Sequence, residues 1–189
     1  MYKLKLLSIL AIAVVGALLI YNHFDNKKEE NIVIDKFSSE YNLVSQNNIF
    51  KYNTIDEIID ILENKSGFVF LCTPESSWCN YYASYLNETL MNNNIKEIYY
   101  CNIKPDRELN TLKYQKLLDL LNTHIYKDDT NNSKIYMPDL TVVKNGEIIA
   151  HDNETSLIQS DQLAESYWTQ EKITEFKNKL NGFVYLLNN

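Results

Sequence analysis

The sequence predicts an α/β fold: a central mixed sheet of four to five strands flanked by helices, preceded by an N-terminal membrane segment. Three observations lead there. First, residues 68–72 (Phe-Val-Phe-Leu-Cys) are a continuous apolar run of the kind buried on both faces of a sheet. A loop, Thr73-Pro74-Glu75, then leads to Ser76, a good N-cap, with Trp78, Tyr82, Tyr85, Leu86 and Leu90 at helical spacing. Second, another buried run at residues 98–103 follows that helix, and two strands joined by a helix imply a right-handed parallel crossover. Third, Asn145-Gly146 between residues 140–143 and 147–150 is a strong hairpin signal.

In chain order, Lys3 and Lys5 precede the mostly apolar residues 6–21. That run is longer than a usual signal-peptide core of roughly 7–15 residues and a little short of the ~20 that span a bilayer. It contains no cysteine for lipid attachment, and residues 1–24 are read as an uncleaved signal-anchor, the alternative being a cleaved signal peptide with a secreted product. Positive charge at the start favours that end inside, which puts the rest of the chain outside the cytoplasmic membrane. Residues 25–46 read as a linker with one amphipathic turn, and residues 47–189 as the folded domain. Residues 48–52 alternate weakly as a strand, and Thr54-Ile-Asp-Glu57 is a capping box opening a helix through Ile58, Ile59, Ile61 and Leu62. Pro105-Asp106 starts a helix carrying Leu109, Leu112, Leu117, Leu118 and Leu121. Trp168-Thr169 begins the last helix, with Ile173, Phe176, Leu180 and Phe183 on one face.

The net charge is −7 with the two signs interspersed, which argues against a nucleic-acid surface. Three cysteines, Cys72, Cys79 and Cys101, contain no C-x-x-C pair and leave at least one thiol unpaired in a monomer. The three histidines are far apart in sequence and near no cysteine cluster, so no metal site and no cofactor are expected.

The order of elements, the buried strand leading into a Trp- and Cys-bearing helix start, Met137-Pro138 before a strand, and Val142-Val-Lys-Asn-Gly-Glu147 together resemble the thioredoxin superfamily over residues 49–187. A closer likeness is to extracytoplasmic thioredoxin-like proteins of Gram-positive bacteria, including those called bacteriocin transport accessory proteins. The resemblance implies a cis-proline at Pro138 beside the site, and protein or peptide clients that pair with the backbone before it. It implies a redox centre of two cysteines, the first attacking a disulfide and the second resolving the adduct. Aligned without gaps, Ser76 stands at the attacking position and Cys79 at the resolving one, so the centre is degenerate. The buried acid that many thioredoxins keep on the preceding strand falls at Phe70. A rival alignment, with an insertion within residues 73–77, makes Cys79 the attacking thiol.

The candidate catalytic residue is therefore Cys79, with Cys72, seven residues earlier, as a second candidate that could approach and pair with it. Cys79 also reads as an inert thiol packing under the helix. The candidate groove is Ser76, Ser77, Trp78, Met137 and Pro138. Two functions remain open at this stage: a membrane-anchored thioredoxin-fold protein that binds clients, or belongs to a membrane export or redox complex, without redox turnover, and a diverged thiol-disulfide oxidoreductase.

Overall fold

A computed structural model describes residues 36–127, 133–156, 158 and 162–189 of the chain. Residues 6–21, read above as a membrane segment, lie outside the described residues, among which no helix is long and apolar enough to cross a membrane.

Five strands form one sheet: β1 (Phe50–Tyr52), β2 (Gly67–Leu71), β3 (Ile98–Cys101), β4 (Asp139–Lys144) and β5 (Glu147–Asp152). Their order is β1-β3-β2-β4-β5. The first three are parallel, β4 runs antiparallel to β2, and β5 antiparallel to β4. β2 sits at the centre because it is apolar throughout: Phe68, Val69, Phe70 and Leu71 have no exposed surface. The helices are α1 (Ile55–Asn64), α2 (Ser77–Asn92), α3 (Lys104–Glu108), α4 (Leu112–Leu121), α5 (Ala164–Tyr167) and α6 (Gln170–Asn188).

Local sequence signals explain the boundaries. Thr54 and Glu57 form the reciprocal capping box at the start of α1, satisfying two backbone donors. Asn145 and Gly146 have φ of 51° and 79°, both positive, as a two-residue hairpin turn demands. Gly146 is required for a second reason, since a Cβ there would come within 2.2 Å of the Glu63 carbonyl oxygen at the end of α1. The leucine-bearing helix expected after Pro105 is two helices. Asn110, at φ 45°, breaks it, and Thr111 caps α4 by accepting from the Tyr114 N–H. Leu109 and Leu112, at the break, are exposed.

Register partners share a face of the sheet. Phe70, Leu140 and Asp152 lie on one face, where Phe70 stacks on Tyr82 of α2 and Lys179 of α6 reaches Asp152. Leu71, Asp139, Thr141 and His151 lie on the other, toward His124, which follows α4. Of the stretch read as a linker, residues 25–35 lie outside the described residues, and residues 36–46 behave differently from the expectation. Residues 36–40 are helical, and Phe37, Tyr41 and Val44 are buried. Phe37 stacks on Phe50 and Tyr41, and the Tyr41 hydroxyl donates to that of Tyr100 at 2.9 Å. This aromatic cluster covers β1 and β3, which would otherwise present apolar rings to water.

Candidate functional site

The loop leaving β2 is short and internally bonded. Ser76 N–H donates to the Thr73 carbonyl at 3.2 Å, closing the turn at Pro74-Glu75. Ser76 is the N-cap of α2: its hydroxyl accepts from the Cys79 N–H at 3.4 Å. Asn80 ties the helix back to the loop by donating to the carbonyls of Pro74 and Ser76. The Thr73 hydroxyl donates to the Glu75 carboxylate and is the main reason that this exposed carboxyl sits below its usual range.

Cys72 and Cys79 are joined in a disulfide, with their Cα atoms 5.9 Å apart. Of the alternatives open in the sequence, the structure therefore pairs the two. Neither cysteine has any exposed surface. Alternation along β2 turns Cys72 toward α2, and the third helical residue of α2 brings Cys79 to meet it. The Thr73 N–H donates to the Cys79 sulfur at 3.4 Å. Cys101 is the neighbour of Cys72 on β3, its carbonyl accepting from the Cys72 N–H at 3.2 Å. Its side chain shares the face of Leu71, opposite to Cys72, and it stays a free thiol, pushed up to about 12 by burial.

The groove residues separate by exposure. Ser76 is half-buried and Ser77 exposed, both at the helix start. Trp78 is buried, its ring 5.3 Å from that of Tyr167 on α5. The Met137–Pro138 peptide is cis, as the resemblance implies, and both residues are buried. A surface concavity of about 540 Å³ lies beside the loop, with Leu43, Pro74, Ser77, Tyr81 and Leu163 on its walls. Ser77 is the one predicted groove residue on that wall.

One polar centre has no counterpart in the sequence reading. Asp139, directly after the cis-proline and paired in register with Leu71, is fully buried. Its carboxylate meets the Nε2 of His151 at 3.0 Å, and the His124 ring centroid is 6.0 Å from that of His151. Burial by itself would depress the His151 pKa, but the hydrogen bond and charge of Asp139 outweigh it and leave the value raised. Exposed His124 moves the other way, lowered by partial desolvation and by His151. The register set by the Asn145-Gly146 turn alone would place His151 opposite Leu140, on the other face; the irregularity between Val142 and Val143 shifts it opposite Thr141, onto the face of Asp139. Among the described residues no group of three or more histidine, cysteine or acidic side chains is placed to hold a metal ion.

No protein-family model matches the chain, and no curated protein matches it. A solved structure described as a proposed oxidoreductase with a thioredoxin fold is similar to it, at 19% identity and a TM-score of 0.41, over 60% of this chain and 95% of that one. The assignment of a thioredoxin-like fold rests on the strand order, the crossover helices and the cis-proline described above.

Proposed function

We propose that the chain is a membrane-attached, outward-facing protein of thioredoxin-like fold that binds a protein or peptide partner beside the start of α2, with the Cys72–Cys79 disulfide acting as a structural clamp. The observation that carries this reading is the burial of that disulfide: neither cysteine has exposed surface for a client thiol to approach. The surface above it carries a hydroxyl, Ser76, at the helix cap, and a hydroxyl does not exchange with disulfides. Next to it, the concavity with Leu43, Tyr81 and Leu163 offers apolar area to a partner segment. A disulfide suits an oxidising compartment, in keeping with an outward-facing domain behind residues 6–21. The partner would be a client, or a component of a membrane export or redox complex.

Purified protein should not accelerate dithiol-driven insulin reduction above the uncatalysed rate. A photoreactive amino acid at position 77 should cross-link a discrete partner in cells, while one at the exposed Glu147 of the far hairpin should not. Protease added to intact protoplasts should digest the domain. Full protection would remove the outward topology, and equal labelling from both positions would remove the binding surface.

A second reading has its own observation. The Thr73 N–H and the first turn of α2 would stabilise a Cys79 thiolate, as a redox centre needs. Insulin reduction that disappears in Cys72→Ala would establish this oxidoreductase reading.

A further inference from the structure

We propose that a small cavity between the end of β5, residues 153–155 and α6 is a binding site for a carboxamide group. The cavity has a volume of about 90 Å³. Two residues that line it, Thr155 and Trp168, each carry a buried donor, Oγ1 and Nε1, with no hydrogen-bond partner among the described residues. Thr155 is 3% exposed and Trp168 6%. An indole N–H can only donate, and burying it without an acceptor is unfavourable. Trp168 cannot easily turn away, because its ring packs against Tyr82, Tyr85 and Phe176. The site therefore asks for a ligand that brings an acceptor.

The charges around it decide which acceptor. Lys179 Nζ lies 2.9 Å from Asp152 Oδ1 and 2.7 Å from Glu154 Oε2, and Lys172 Nζ 2.6 Å from Glu175 Oε2. Both ammonium groups are engaged, and three carboxylates against two ammonium groups leave the wall with a formal excess of negative charge. An anion is disfavoured there. A neutral carbonyl is not, and an amide N–H beside it finds acceptors in the Thr155 hydroxyl and the carboxylates. The cavity is roomy enough for an amide head, since a single water needs only about 10–15 Å³ of such volume. The occupant is an asparagine or glutamine side chain of a protein, or a free small amide.

The test uses the full-length chain in mild detergent, labelled with ¹⁵N-tryptophan. The chain has two tryptophans, so Trp78 serves as the internal control and Trp168→Phe assigns the signals. Acetamide should shift the Trp168 indole signal saturably and leave Trp78 unmoved, whereas acetate at matched ionic strength should not. Thr155→Val should weaken acetamide about three- to tenfold, the effect of losing one hydrogen bond, and Thr155→Ser should restore it. Tighter saturable binding of a capped glutamine than of acetamide would assign the group to a protein partner, and equal binding to a free amide. The proposal falls if acetamide leaves Trp168 unmoved, in which case the cavity holds water alone. It falls equally if acetate binds as well as acetamide, or if Thr155→Val, shown folded by its Trp78 signal, binds unchanged.

Discussion

Two buried centres sit on opposite faces of the strand pair β2–β4, and they are built from different chemistry. On the α2 face, the Cys72–Cys79 disulfide closes the loop after β2. On the other, Asp139 and His151 meet at 3.0 Å, with side chains 0% and 8% exposed. Leu71, the residue before Cys72, is the register partner of Asp139, so the two centres flank the same backbone. The covalent link is neutral: neither pH nor salt reaches it, but a reductant does if it gains access. The ion pair is indifferent to reductant and answers to pH. One short region of sheet is thus held by two devices that fail under different conditions, and the surface carrying Ser76 and Ser77 rests on both.

The largest expected effect comes from the ionic side. Asp139→Asn leaves His151 buried without its countercharge and should cost about 3 kcal/mol near pH 6, measured by urea unfolding. The same pair sets a pH dependence. The His151 pKa is raised in the fold above its ordinary 6.5. Its stabilisation is therefore complete below the unfolded imidazole's value and fades as pH rises through the folded one. The gap between wild type and Asp139→Asn should narrow from about pH 6 to about pH 8. A gap that widens would show that the two groups are not a charged pair.

Next in size is the covalent side. Cys72→Ala opens a loop of seven-residue separation. Chain entropy puts the loss at about 2–3 kcal/mol. Unlike the first effect, this one should be the same at both pH values. A loss confined to one pH would mean that the two centres are coupled through Leu71 rather than independent.

The smallest effect tests the cap above the disulfide. Ser76→Ala removes the acceptor for the Cys79 N–H and should cost about 0.5–1 kcal/mol, because α2 keeps its other bonds. If the cost reaches that of Cys72→Ala, the loop is held by its cap and not by the disulfide.

Local signals made much of the frame legible. The Thr54–Glu57 box, the Asn145-Gly146 turn and the Phe68 to Leu71 run each name an element whose form depends on neighbours in sequence. What escaped depends on distant partners. Phe37, Tyr41 and Val44 have helical spacing, but polar residues between them disguised a segment whose partners, Phe50 and Tyr100, come later in the chain. The break at Asn110 was hidden because Leu109 and Leu112 keep up an apolar pattern while facing water. The four-residue α5 is too short for periodicity to register. Within the site, Ser76 as N-cap was readable from residue type and order, and a cis Pro138 followed from the resemblance. The burial of Trp78 needed Tyr167, and the Asp139–His151 pair needed the strand register.

The central claim is that the Cys72–Cys79 disulfide is a buried clamp and not a turnover centre, and its reduction kinetics under native conditions test this directly. Treat the folded protein with increasing dithiol, quench by alkylation, and follow the mass gain at Cys72 and Cys79, with and without sub-denaturing urea. A clamp is reduced only when the chain opens, so the rate should be slow, level off with dithiol concentration and rise with urea. A rate that stays proportional to dithiol, ignores urea and approaches that of an exposed disulfide would contradict the account and make the pair a redox centre.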